Sequence, residues 1–295
     1  MYENHLKVAS ARDAAGLAQT RGFTIPPAVT QTASLVDAAH ALAREHRAFQ
    51  PAASIPTDPA AMPAALRKAA AASTTRDEAL KIADSWSEHA EQMLIDAVHT
   101  AVPQWIDDLA AVYRQTLEAL AASGGPGQYT HAQPARMSAH EIGQWQACLS
   151  AVDQADTILT DRRTLGAAGG ENRTDGVRPT PSRSRAYGGP IVTAGVLHPL
   201  TGEDRTAIDH EFQRRDTLLT AAHKGDVLTR WALWLQASAD GWLTLTLPRL
   251  GEPARRADLL RGLSETGWAL LDTGPSLRAG MAHADQTYRE LVGAQ

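Results

Sequence analysis

"TRDEALKIADSWSEHAEQMLIDAVHTAVPQWIDDLAAVYRQTLEALAA" runs from Thr75 to Ala122. Apolar residues recur at Leu80, Ala83, Trp86, Ala90, Met93/Leu94, Ala97/Val98, Ala101/Val102, Trp105, Leu109, Val112/Tyr113, Leu117 and Leu120. Their spacing is close to 3.6 residues and persists for about twelve turns, which predicts a long helix with one apolar face. Thr75 and Glu78 have the spacing of a capping box, in which hydroxyl and carboxylate satisfy orphan N–H groups, so the helix is expected to start there. Pro103 removes one ladder hydrogen bond and predicts a kink or a split. Gly124-Gly125-Pro126-Gly127 predicts the stop.

The pattern repeats downstream. Ser138 and Glu141 form a second capping box. Ile142, Trp145, Cys148/Leu149, Val152, Ala155 and Leu159 then line one face of a helix to about Leu165. Two long helices joined by a short Gly-rich connection predict an antiparallel pair. Upstream, residues 3–20 fit a short helix and the stretch after Pro26-Pro27 a second one, to about Phe49. Four prolines in 51–63 predict a linker or an extended crossing. The fold class expected is therefore mainly α, with a long-helix bundle domain over 1–165.

Residues 166–200 change character. Glycine, proline, serine and arginine dominate and periodicity is lost, so this stretch is expected to be a linker open to trypsin at Arg173, Arg178, Arg183 or Arg185. Residues 201–295 are expected to form a small α+β unit. Thr201-Gly-Glu-Asp204 opens a helix through Ala222. Trp231, Leu233 and Leu235 alternate, Asp240-Gly241 suits a turn, and "WLTLTLP" (242–248) reads as a strand, which together predict a hairpin. A helix over 226–238 fits nearly as well. Helices at 253–265 and 275–292 close the chain.

Composition narrows the function classes. The chain has 295 residues, 43% of them hydrophobic, and a net charge of −5. That acidity argues against a dedicated nucleic-acid binder, whose footprint is basic. Nucleic acid is expected only through the 173–185 arginines, which could meet phosphates. The one cysteine, Cys148, excludes an internal disulfide and a Cys-based metal cluster. It falls on an apolar row and is expected to be a small buried hydrophobe. No apolar run of membrane-spanning length occurs, and "MYENHLKVASARD" lacks the apolar core of a secretory leader, so a cytoplasmic or virion-associated protein is expected.

Eleven histidines invite a metal search. His140-Glu141 and His210-Glu211 begin H-E-x-x-H patterns, but Gln144 and Arg214 stand where the second histidine belongs. No glycine-rich phosphate loop and no G-x-S-x-G elbow appears. No metal, cofactor or catalytic set is therefore expected. Trp231, Trp234, Trp242 and Trp268 cluster in the last third, where they suit either a core or a contact surface. With the four arginines they are the expected interaction residues.

Two resemblances add to this reading. Tyr129-Thr130-His131-Ala132-Gln133-Pro134-Ala135 resembles the histidine motif of the fumarase and argininosuccinate lyase superfamily. The resemblance implies that His131 acts on or orients substrate and that Thr130 and Gln133 hold substrate carboxylates. The family continues with Gln-Pro or a similar pair where this chain has Arg136-Met137. Nothing downstream matches the family's Gly-Ser-Ser loop with its Met-Pro and Lys, and Lys224 is the one lysine after His131. In texture the chain resembles Ala-rich helical proteins of actinobacterial phage and prophage structural modules. Together these features predict a non-enzymatic structural or assembly protein that works through protein partners, self-association included, with a His131-based lyase as the alternative.

Overall fold

The computed structural model describes residues 2–48, 62–129, 134–171, 190–201, 205–259 and 284–291. Helices dominate, as the periodicity predicts: α1 (Tyr2–Thr20), α2 (Pro27–Ala48), α3 (Met62–Ala122), α4 (Ala139–Ala168), α5 (Pro190–Ala194), α6 (Arg205–Lys224), α7 (Val227–Ala239), α8 (252–259) and α9 (284–291). Two short strands, β1 (Gly195–Leu197) and β2 (Leu243–Leu245), pair antiparallel with Val196 opposite Thr244. The fold is mainly α. The chain divides into two compact units, Met1–Ala101 and Val102–Gln295. The division falls inside α3, beside Pro103, through which the helix runs unbroken.

In the first unit α1, α2 and the first part of α3 are joined by two ion pairs and a histidine–carboxylate hydrogen bond. Arg12 meets Asp37 at 2.6 Å, linking α1 to α2. His40 meets Glu91 at 2.7 Å and Arg47 meets Asp84 at 2.5 Å. Those two contacts advance seven residues along α2 while retreating seven along α3, so these helices are antiparallel. The buried faces are built from small residues: Ala11, Ala14 and Ala18 on α1, Val29 and Val36 on α2, Ala83, Ala90 and Leu94 on α3. Alanine favours helix but buries little area per residue, so close approach rather than bulk makes this core.

α3 starts thirteen residues before Thr75. The expected cap there is overridden because the preceding stretch, with Ala64, Ala65 and Ala69 to Ala72, favours helix strongly, and Pro63 suits a first turn. The stop is as expected. Gly124 and Gly125 have φ of 83° and 78°, and the Gly125 N–H donates to the Leu120 carbonyl at 3.1 Å. A residue with a Cβ resists that left-handed backbone.

In the second unit, α4 begins on the predicted capping box, with Ser138 as N-cap and Glu141 reaching back to its N–H at 2.7 Å. The Ser138 hydrogen bonds hold the Glu141 carboxyl below the usual carboxylate range. α4 runs antiparallel to the end of α3, as expected. Cys148 lies by Ser123 and Gly169 by Val102, so 21 residues of one helix answer 21 of the other. Cys148 is fully buried, and burial pushes its thiol up, which suits a packing role.

Three expectations are corrected by the structure. Residues 190–200 do not belong to an irregular linker. They form α5 and β1, and every residue from Ile191 to Leu197 is buried. They are held by non-local bonds that composition does not announce: Tyr113 Oη donates to the Ala194 carbonyl at 2.9 Å, as does the Thr246 N–H at 3.0 Å. The expected cut sites at Arg173 to Arg185 lie outside the described residues. Second, of the two readings of 226–238 the helix holds and the hairpin does not: α7 spans Val227–Ala239. Asp226 caps it by accepting from the Thr229 N–H, and Trp231, Trp234 and Ala237 form its buried row at helical spacing. The partner of β2 is β1, about fifty residues upstream. Third, no boundary sets 205–259 apart from α4 and the end of α3: they fall in one unit, with α7 on α4 and Trp231 against Tyr113.

Gly195 is where the sheet is tightest. A Cβ there would lie 2.6 Å from the Thr244 carbonyl oxygen and 2.9 Å from Leu243 Cδ1. We expect Gly195→Ala to cost about 1–3 kcal/mol, because backbone cannot step aside cheaply. Urea unfolding followed by tryptophan fluorescence reads this, and an unchanged midpoint would contradict the β1–β2 approach.

Candidate functional site

The tryptophans separate into core and surface. Trp231 is 0% exposed, and its ring lies 6.3 Å from Tyr113 and 5.1 Å, edge on, from Trp234. Trp234 and Trp242 are buried too, with the guanidiniums of Arg230 and Arg215 over their rings at 5.8 and 5.3 Å. These three members of the expected interaction set are therefore core, the other of the two roles that suited them. Trp268, the lyase-like Thr130, His131 and Gln133, and Arg173, Arg178, Arg183 and Arg185 lie outside the described residues.

Trp86 is the most exposed of the described tryptophans. The periodicity places it on the apolar row of α3, yet it is 59% exposed. Ile82 at 51% and Met93 at 39% lie on the same side. Positions 82, 86, 89 and 93 step by four, three and four residues, the spacing of one seam along a helix. The buried row of Ala83, Ser87, Ala90 and Leu94 runs beside this seam. The signal is present in the sequence, because α3 carries more apolar positions than one face can hold.

A polar cleft of about 670 Å³ opens in the first unit, lined by residues of α1, α2 and α3. At its floor Glu91 is 4% exposed, and its Oε1 takes a 2.7 Å hydrogen bond from His40 Nε2, with His5 Nδ1 at 4.0 Å. Glu91 thus faces an imidazole from each of the other two helices. The His40 side chain stays 37% exposed while its Nε2 reaches this carboxylate. Arg12–Asp37 and Arg47–Asp84 flank the cleft and tie its walls together. Its charges are largely spent on each other, which suits a clasp between helices. Among the described residues no group of three histidine, cysteine or carboxylate side chains is placed to hold a metal.

Among the described residues, unit two holds three buried arginines that sequence reasoning misses. Arg162 donates to the Pro248 and Arg249 carbonyls at 2.6 and 2.8 Å and meets both oxygens of Glu171 at 2.8 and 2.9 Å. Arg215 donates to the His198 carbonyl at 2.5 Å and pairs with Glu211. Arg256 donates to the Thr246 carbonyl at 2.7 Å and pairs with Glu252. Burial is the main cause that brings the Arg256 guanidinium down to about 10. Each arginine pins loop or strand backbone, so the role is architectural. Glu211-x-x-x-Arg215 and Glu252-x-x-x-Arg256 are legible as i, i+4 pairs, but such pairs usually decorate exposed helix faces.

His198 follows β1, bonds Thr244 Oγ1 through Nε2 at 2.7 Å, and lies 5.0 Å from the Tyr288 ring. Burial, then the Arg215 charge, push its imidazole below the ordinary value, against a smaller opposing effect of a hydrogen bond to the Gly241 backbone. The unfolded chain therefore takes up a proton more readily than the folded one. Its contribution is present above about pH 6.5 and is lost as pH falls through the folded value. We expect acidification from pH 7.5 to 5.5 to lower the Tm of the wild type more than that of His198→Gln. Equal losses in calorimetry would remove His198 from the acid response.

No described helix is long and apolar enough to cross a membrane. No protein-family model matches the chain, and neither a curated protein nor a solved structure matches it.

Proposed function

We propose that the chain works by association: a non-enzymatic helical structural or assembly protein whose contact surface is the Ile82–Trp86–Met93 row of α3. The observation that carries this reading is Trp86, 59% exposed on a long helix while Trp105, Trp231 and Trp234 are buried. A water-exposed indole beside two aliphatic side chains is costly to leave uncovered, and tryptophan leads the residues that anchor protein interfaces. Methionine beside it adapts to a partner's shape. The Ala-rich helical texture, which resembles that of phage structural-module proteins, is in keeping with this role.

Oxidative footprinting tests the surface whatever covers it. Trp86 should be oxidised readily in dilute protein and protected at high concentration or in extract of the source cells. Trp231 should stay unlabelled throughout. Oxidation of Trp86 to the same extent in every condition would overturn the reading. So would fumarate release from argininosuccinate or adenylosuccinate that disappears in His131→Ala.

A further inference from the structure

Resting on that surface reading, we infer that the Trp86 row pairs with the same row of a second copy, antiparallel, about a two-fold axis between Ser87 and Glu88. The spacing of the seam is its own mirror. With the axis there, Ile82 of one copy layers on Met93 of the other, and Trp86 on His89. The four layers are symmetric and need no other residue type. Heptad geometry then places two further pairs on one flank, Glu78 with His99 and Ser85 with Gln92. The acid thus meets an imidazole and the hydroxyl meets an amide. All eight positions are exposed on the single chain.

A parallel arrangement fares worse. It would stack Trp86 on Trp86 and His89 on His89, and it would set Glu78 beside Ala83 with no imidazole to meet. The apolar part of the contact is short, about eighteen ångströms of helix at 1.5 Å per residue, so the dimer belongs with weak, concentration-dependent associations.

Single cysteines read the register. In an antiparallel pair, residue 82 of one copy lies beside residue 93 of the other but about 16 Å along the axis from its own counterpart. A disulfide needs Cα atoms within about 7 Å. Ile82→Cys and Met93→Cys proteins, each folded by circular dichroism, should form a mixed disulfide dimer when combined under mild oxidation, and neither should cross-link alone. The native Cys148 is buried and contributes little background. Glu78→Lys should weaken association several-fold, and Glu78→Lys/His99→Glu should restore it. Cross-linking of Ile82→Cys with itself would overturn the antiparallel pairing. Association that needs Trp86 but gives no mixed disulfide would overturn the pairing while leaving the surface reading in place. Loss of Trp86 protection under all conditions would remove both.

Discussion

Arg162→Ala should lower the stability of the Val102–Gln295 unit by about 3–5 kcal/mol, the range for breaking a buried ion pair from one side. The side chain is 1% exposed. Its removal strands the carbonyls of Pro248 and Arg249 and leaves the Glu171 carboxylate to the Gly251 N–H, which donates to it at 2.8 Å. Gly166 is one turn on, and its missing Cβ makes the room: a Cβ there would stand 2.6 Å from Arg162 Nη1. The cost lies in the stranded groups more than in the lost attraction. Arg162→Met/Glu171→Gln should therefore recover part of the loss. Urea unfolding monitored by tryptophan fluorescence gives both numbers. A loss below about 1 kcal/mol for the single variant would place Arg162 among ordinary surface pairs.

Trp231→Ala should cost about as much, roughly 3–5 kcal/mol, by opening a cavity between Tyr113 and Trp234. Trp86→Ala should change folding stability by no more than about 0.5 kcal/mol, because it removes no buried contact. The contrast is the useful quantity. The two residues are chemically identical and both lie on helices, but one is a core residue and the other is a surface residue. Thermal unfolding of the two variants side by side should separate them by many degrees. Similar losses would mean that Trp86 is packed.

Much of the architecture is legible in the sequence because helices are local. The long period of α3, the Gly124-Gly125 stop and the Ser138–Glu141 box each act within a few residues, and each appears where expected. The failures share a cause. β1 is three residues long and pairs with a strand about fifty residues away, so nothing near it in sequence marks it. α7 is ambiguous because Trp231, Leu233 and Leu235 satisfy a period of two as well as Trp231, Trp234 and Ala237 satisfy a helical one. Asp226 as a cap is the signal that decides it. The Thr75 box is a sound local signal overridden by the alanines before it.

The candidate surface is half legible. An apolar stripe too wide for one buried face is visible in the residues of α3, but which part stays exposed depends on where α1 and α2 pack. Periodicity assigns Trp86 to the buried row, and packing leaves it outside. The clustered tryptophans of the last third suit either role, because composition cannot tell an anchor from core filler. Glu91 illustrates the same limit. A lone carboxylate next to an alanine gives no sign that two histidines, from other helices, will face it.

Association through Trp86 is tested most directly by fluorescence-detected sedimentation of the labelled chain, wild type beside Trp86→Ser. Each is run over a dilution series in buffer and again in extract of the source cells. The wild type should sediment faster as its concentration rises or when extract is added, and the variant should stay at the monomer value. Identical sedimentation of the two proteins in every condition would contradict it.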